Sequence, residues 1–344
     1  MTTELPVAST TVSASPMRAV VRERYGDTRA VLHIAQVPRL ELGADEDVLI
    51  RVHAAGVDRG VWHVITGLPY PIRLAGFGLR APRNHVVGSE LAGVVEAVGS
   101  KVTRLAVGDE VYGTGNGTFA EHARTSEGKL SRKPSNLTFE QAAAVPVSGM
   151  TALQAVRDHG NVKSGHQVLV IGASGGVGSF AVQIAKAYGG VVTGVASTSK
   201  LEFVRSVGAD AVLDYTRDRL PESRYDVIVD IGGNTRVARL RKALTRTGTL
   251  VIVGGEGGGR VLGGVQRQVG AKLLSPLVRQ KLRVFVCKEN AADLGVLTNL
   301  IDSGQVTPAV DRVLPLESAA EAVQLLLDGR VRGKLVLAVP PGLR

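Results

Sequence analysis

The stretch Val168 to Lys200 reads VLVIGASGGVGSFAVQIAKAYGGVVTGVASTSK, and its reading decides the fold. It opens with four apolar residues, Val168 to Ile171, as a strand buried on both faces does. Gly172-Ala173-Ser174-Gly175-Gly176-Val177-Gly178 follows, a turn almost without side chains. Val177, Ala181, Ile184, Ala185 and Tyr188 then recur at helical spacing. Val191 to Val195 is a second apolar run. Strand, glycine turn, helix and strand make one βαβ unit, and this one predicts a dinucleotide site. A helix N-terminus offers unpaired N–H groups and partial positive charge to a pyrophosphate. Only a backbone without Cβ atoms lets the phosphates come close. The glycines at 172, 175, 176 and 178 make the turn one residue longer than G-x-G-x-x-G. The alternative is a tight turn in an α/β protein that holds no ligand.

The end of the second strand predicts which dinucleotide. An NAD-preferring site places Asp or Glu there for the ribose 2′-OH. Here the chain reads Val195-Ala196-Ser197-Thr198-Ser199-Lys200, without an acid. Ser197, Thr198 and Lys200 suit a 2′-phosphate, so the expected cofactor is NADPH. The competing role of Ser197 or Thr198 is to cap the next helix, with Lys200 in solvent.

The chain has 344 residues, enough for two domains, with 44% hydrophobic and 21% charged residues, a globular composition. One cysteine, Cys287, excludes an intramolecular disulfide and a cysteine-rich zinc site, and it fits a reducing cytoplasm. The net charge of +10 invites a nucleic-acid reading, yet the Arg residues are scattered and aromatics are 4%. An anionic cofactor in an Arg-rich chain is the simpler account, and no nucleic-acid partner is expected. No apolar stretch has the length of a membrane span, and no membrane partner is expected. Residues 1–16 are small and polar, with neither an apolar signal core nor an Arg-rich face. They read as a disordered tail, with structure beginning at Met17.

From Met17 to about Lys133 short strands alternate with turns: Arg18 to Arg22, Val48 to His53, Gly88 to Val98 and Asp109 to Tyr112. This predicts a β-rich domain, a distorted barrel. Phe139 onward is a helix closed by Pro146, and a second helix begins at Thr151. Strands at Ala211 to Leu213, Tyr225 to Asp230, Thr249 to Val253 and Arg283 to Cys287 continue the βα rhythm. Six parallel strands with helices between make a doubly wound sheet, with its ligand at the C-terminal strand ends. Gly172, Gly232, Gly254 and Gly255 all fall at such ends. After Asn290, strands at Val310 to Leu314 and Lys334 to Val339 flank a helix at Ser318 to Asp328 and are expected to rejoin the first domain.

With both halves read, the order resembles the medium-chain dehydrogenase/reductase superfamily over the whole length after Met17. The resemblance rests on GSELAGVVEAVGSKVTRLAVGDEVYG, AAAVPVSGMTALQAV, the glycine turn and the C-terminal GKLVLAV. Ala173 to Gly178, A-S-G-G-V-G, resembles the G-G-V-G turn of the zinc-free quinone oxidoreductase group, which includes enoyl reductases and reticulon-4-interacting-protein-like members. The resemblance implies an α/β chain: a GroES-like catalytic domain with an inserted Rossmann sheet of six strands. The implied division is 17–145 and 289–344 for the catalytic domain and 146–288 for the NADPH domain. It further implies an interdomain cleft, A-side hydride transfer and a homodimer through the sixth strand. Zinc enzymes of the superfamily take a Cys from the stretch matching Gly56 to His63 and a His from G-H-E. Here the stretches read GVDRGVWH and Gly88-Ser89-Glu90, and no four-cysteine lobe is present. No metal is expected.

A quinone or enone accepts hydride at carbon while negative charge builds on oxygen, so a nearby donor lowers the barrier. The group's Asn, Asp and Tyr are replaced here by Asp58, Val61 and His63. His63 is the first candidate acid, against packing beside Trp62; Asp58 is a candidate orienting group, against an ordinary turn aspartate. Tyr70 stands in a loop able to line the cleft, and Tyr112 reads as core. Thr151 resembles the group's threonine near the nicotinamide, and Tyr215 its aromatic near the 2′-phosphate. The expected activity is NADPH-dependent, zinc-independent reduction of a small-molecule quinone or α,β-unsaturated carbonyl compound. The alternatives are an NADP-dependent alcohol/carbonyl dehydrogenase and a noncatalytic, crystallin-like NADPH-binding protein.

Overall fold

The structure, a computed structural model, describes residues 16–254 and 259–340. All but the last residue of the expected tail lies outside them. The first stretch is β-rich, with β1 (Met17–Val21), β2 (His33–Val37), β3 (Asp47–Val57), β4 (Glu90–Val98), β5 (Glu110–Thr114), β6 (His122–Ser126) and β7 (Leu130–Arg132). β1 and β2 form an antiparallel ribbon. β3 runs well past the expected VLIRVH, because β4 and β6 both pair with it and two register shifts let it bend between them.

The second sheet holds β8 (Gln167–Ile171), β9 (Val191–Ala196), β10 (Ala211–Asp214), β11 (Tyr225–Asp230), β12 (Leu244–Ile252) and β13 (Lys281–Val284). Every pair is parallel, in the order β10-β9-β8-β11-β12-β13. This is the doubly wound order, and it reverses direction between β8 and β11, where the crevice must open. The chain then leaves this sheet. β14 (Val310–Pro315) and β15 (Lys334–Ala338) complete the first one, giving β14-β15-β3-β4-β5-β7 with β6 beside β3. The architecture is therefore a GroES-like sheet domain assembled from both ends of the chain, with a six-strand Rossmann sheet between them.

The joint differs from the sequence reading in one respect. The first joint helix, Phe139–Ala143, carries a capping box between Thr138 and Gln141. The next begins at Pro146 and runs to Leu153, so Pro146 opens a helix. Proline lacks an N–H and has a helical φ, both suited to a first turn. Around this joint the core is continuous: Ala54, Ala92 and Tyr112 of the first sheet cluster with Met150 and Leu153 of the joint and Val168 and Val229 of the second sheet.

Leu337 lies on β15, fully buried opposite Ala55 of β3. Leu337→Ala is expected to cost about 2–5 kcal/mol through lost burial and the cavity left behind. Thermal denaturation followed by circular dichroism checks it. An unchanged Tm would mean that the C-terminal strand is dispensable to the first sheet.

Candidate functional site

The glycine turn has the geometry a pyrophosphate needs. Gly172 has φ +82°, a left-handed conformation, and its amide and that of Ala173 both donate to the Val195 carbonyl. Gly175 is the N-cap of helix Gly176–Ala187, and no side chain caps it. The N–H groups of that first turn thus keep their donors for a ligand. A Cβ on Gly178 would run into the Gly172 carbonyl and the Ala173 backbone, neither of which can yield. The turn fits a dinucleotide phosphate on this evidence.

A cleft of about 1010 Å³ opens beside the turn at the strand ends. Six of the expected residues line it: Gly172, Ser174, Ser197, Lys200, Tyr215 and Gly232. Gly254 packs behind them, its amide donating to Asp230, and Gly255 lies outside the described residues. Thr198 turns away from the expected phosphate: its hydroxyl donates to Asp214. Neither Ser197 nor Thr198 caps a helix through its side chain.

Lys200 is not in solvent either. Its ammonium donates to the carbonyls of Gly329 and Val331, each at 2.7 Å. Burial and the nearby Arg332 both lower its pKa. Arg332 itself donates to the Ser199 carbonyl at 3.3 Å. Two cations are thus held close together by backbone oxygens at the end of β9. Arg332 escaped the sequence reading because it lies 132 positions after Lys200. Arg236, Arg239 and Lys242 also line the cleft. Their i, i+3, i+6 spacing just after Gly233 was readable as one basic helix face.

The candidate catalytic residues stand apart from this cleft. Asp58 is the N-cap of helix Arg59–Thr66, accepting from the Val61 amide at 3.1 Å. Its other oxygen accepts from the Ser89 hydroxyl at 2.6 Å. Ser89 fills the position of the zinc ligand in G-H-E, and here it serves Asp58. His63 lies on the same helix, edge-on to Trp62, and its Nδ1–H donates to the Leu68 carbonyl at 2.7 Å. That bond leaves Nε2 as the free nitrogen of the neutral ring. Tyr70 is about half exposed under the Arg73 guanidinium. Thr151 is buried and returns its hydroxyl to Val147 at 2.6 Å, within its own helix. Tyr112 is core, its OH donating to the Leu294 carbonyl.

One group was missed altogether. Glu90 and Lys334 form an ion pair with both side chains almost completely buried. The second Glu90 oxygen accepts from the Val147 amide at 2.8 Å, in the first turn of helix Pro146–Leu153. A Cβ on Gly176 would come within 2.8 Å of the Lys334 stem. The pair therefore ties the first sheet to the glycine turn. Nothing local in the sequence couples positions 90 and 334.

Among the described residues, no three His, Cys, Asp or Glu side chains are grouped to hold a metal. No described helix is long and apolar enough to cross a membrane.

Comparison with known proteins agrees with this architecture. Residues 44–135 match the alcohol dehydrogenase GroES-like domain, and residues 207–337 match a family described as zinc-binding dehydrogenase. The chain is 31% identical to 2-methylene-furan-3-one reductase of Solanum lycopersicum, covering 96% of this chain and 81% of that protein. It is 30% identical to the quinone oxidoreductase of Homo sapiens, covering 93% and 97%. A solved structure titled NAD-dependent alcohol dehydrogenase superposes with a TM-score of 0.79 at 31% identity, covering 94% and 100%. The chain belongs to the medium-chain dehydrogenase/reductase superfamily, within its quinone oxidoreductase-like group. It is an NAD(P)H-dependent oxidoreductase of the quinone/enone reductase type.

Burial raises the Glu90 carboxyl from its ordinary 4.5 to about 7, against the opposing pull of Lys334 and the Val147 amide. The folded chain then holds a proton that the unfolded chain has released, so this group's contribution to stability falls as pH rises from about 4.5 to 7. Glu90→Gln is expected to lower Tm, since Lys334 loses its partner, and to flatten the fall across that window. Thermal melts over a pH series would show it; a slope equal to that of the unaltered protein would contradict it.

Proposed function

We propose that this protein uses NADPH to reduce a small-molecule quinone or α,β-unsaturated carbonyl compound without zinc. The observation that carries the cofactor choice is the Lys200–Arg332 pair at the end of β9, where Lys200 and Ser197 line the cleft and Arg332 is held beside Lys200 on the Ser199 carbonyl. Two cations held together repel, and a phosphate dianion relieves that repulsion. Asp214, at the end of the neighbouring strand β10, has one oxygen taken by Thr198 and the other by the Thr216 amide and hydroxyl. Neither is left for a ribose 2′-OH. Tyr215 beside this seat offers a face to the adenine or phosphate end. The glycine turn from Gly172 to Gly178 takes the pyrophosphate, and Gly232 and Gly254 keep the strand ends open.

When bound, the reduced nicotinamide supplies a hydride. The chain supplies position and proton. Asp58, with both oxygens engaged, is a positioning residue: it fixes the helix that carries His63. The His63 Nδ1–H donates a hydrogen bond to the Leu68 carbonyl, so only the imidazolium form also donates from Nε2. Ser89 in place of histidine, and no cysteine between Gly56 and His63, support the metal-free reading. We also propose the domain division 17–145, 146–288 and 289–344, a homodimer through the free edge of β13, and a reducing, cytoplasmic setting.

The alcohol dehydrogenase title of one structural neighbour favours a second reading, carbonyl–alcohol interconversion. A Lewis acid normally polarises that carbonyl, and the residues present do not form one's site.

The test is cofactor oxidation by EDTA-treated protein against a quinone and an enone. Turnover is expected with NADPH well above NADH. Lys200→Ala/Arg332→Ala should raise KM for NADPH by about tenfold or more and leave KM for NADH unchanged, since charge-assisted phosphate contacts are lost. Equal effects on both would overturn the phosphate seat. His63→Phe should lower kcat by about 100-fold with KM for NADPH unchanged, as loss of a general acid does. Full activity in that variant would remove His63 from the chemistry, and loss of activity to EDTA restored by zinc would overturn the metal-free reading.

A further inference from the structure

Arg22 follows β1 and is 1% exposed, and no carboxylate meets it among the described residues. Its Nη1 donates to the Ile65 carbonyl at 3.3 Å, and its guanidinium carbon lies 5.1 Å from the centre of the Tyr25 ring. Its Nε–H is buried without an acceptor. Burial lowers its pKa. An apolar side chain of similar volume would fill this space at least as stably. What the guanidinium alone offers is a donor and a positive charge at the C-terminal end of helix Arg59–Thr66. That is the helix that carries His63.

Arg73 makes a second contact of the same kind. Its Nε donates to the Gly67 carbonyl at 3.0 Å, and its guanidinium carbon lies 4.3 Å from the centre of the same Tyr25 ring. The Tyr25 hydroxyl reaches the carbonyls of Phe77 and Gly78, at 2.8 and 2.6 Å, so one side chain engages both ends of the 67–78 loop. No Asp or Glu stands between Arg59 and Ser89 to draw the guanidiniums away from these carbonyls. Gly67 has φ +63°, and its amide donates to the His63 carbonyl at 2.9 Å. A Cβ there would come within 2.6 Å of both the Tyr25 ring and the Arg73 Nε. Gly67 is thus pressed against Tyr25 and Arg73. The carbonyl of the next residue, Leu68, is the one that accepts the His63 Nδ1–H, at 2.7 Å.

We propose that Arg22, Tyr25 and Arg73 are positioning residues for His63: they fix the Gly67–Leu68 turn, and that turn fixes the imidazole. The consequence is which proton moves. With Nδ1–H held on Leu68, the proton gained on forming the imidazolium sits on Nε2, and it is the one released. It passes to the oxygen of the acceptor as the hydride arrives at carbon, and His63 returns to its neutral Nδ1–H form. In its bearing on catalysis the proposal rests on the reading of His63 as proton donor; in its account of the ring it does not.

Nitrogen NMR spectra of the histidine rings in the full chain, with the His63 signals identified by their loss in His63→Phe, read the tautomer directly. The neutral His63 ring is expected in the Nδ1–H form in the unaltered protein, and as a mixture of both forms in Arg73→Met and in Gly67→Ala. In these variants kcat should fall about tenfold with KM for NADPH unchanged, as misplacement of a proton donor does. Arg73→Lys, which keeps a donor and a charge, should recover most of that loss. In the His63→Phe background Arg73→Met should lower kcat no further, since the two changes act through one group. Either variant suffices if circular dichroism shows that the other fails to fold. Retention of the Nδ1–H form, full kcat in the variants while His63→Phe loses activity, or a loss that multiplies with that of His63→Phe overturns the proposal. A changed tautomer with full activity in His63→Phe would support the placement of the ring and overturn instead the reading of His63 as the acid.

Discussion

The Glu90–Lys334 pair is the interaction on which the geometry of the molecule depends. It is the one ion pair with both side chains essentially out of water among the described residues. Such a pair adds little net stability over apolar packing, but removal of one partner costs about 3–5 kcal/mol because a charge is left buried. Its role here is placement. Glu90 opens β4, and its carboxylate lies on the first turn of helix Pro146–Leu153, where the helix dipole favours negative charge. Lys334 opens β15, and its stem lies against Gly176. The Gly333 amide, one residue earlier, donates to the Ser174 carbonyl inside the glycine turn. Two sheets and the joint between them are thus registered at a single point.

That registration shapes the cleft. The segment from Gly329 to Lys334 is held on one side by Lys200, whose ammonium binds two of its carbonyls, and on the other by Glu90. Arg332 falls between these anchors and is carried to Ser199. A residue from near the end of the chain therefore joins Lys200 at the end of β9. The arrangement links this pair of cations to closure of the first sheet, because both depend on where β15 starts. Asp214 contributes from below. It gathers Thr198 and Thr216, which ties the 197–200 turn to the end of β10.

Most of the fold was legible because its signals are local. Val168 to Ile171, the side-chain-free turn and the helical spacing after it follow from backbone physics within a few residues of each other. The six parallel strands and the return of Val310 to Val339 followed from the same periodicities. What local pattern did not show falls into two kinds. Pro146 was read as a stop although its residue type also starts helices, and only the position of the preceding cap decides between the two. Lys334 with Glu90 and Arg332 with Lys200 are pairs far apart in sequence, which only the closed sheet brings together. The hydroxyl of Thr198 belongs to the second kind as well, since its acceptor Asp214 sits on the neighbouring strand.

The net charge shows how composition misleads when it is read without position. An anionic cofactor was the simple account of +10. Yet in the cleft Lys200, Arg236, Arg239 and Lys242 are accompanied by Asp218 and Asp328, as expected of a site that binds a phosphate and must also release it. The excess lies elsewhere, in two segments, 59–89 and 257–288, where not one carboxylate interrupts the cations and where leucines point outward. Burial cannot explain those leucines, because the polar groups of the first segment already take the inward positions against Tyr25. The exposed Leu277 and Arg279 of the second segment directly precede β13, the edge proposed above to join two copies.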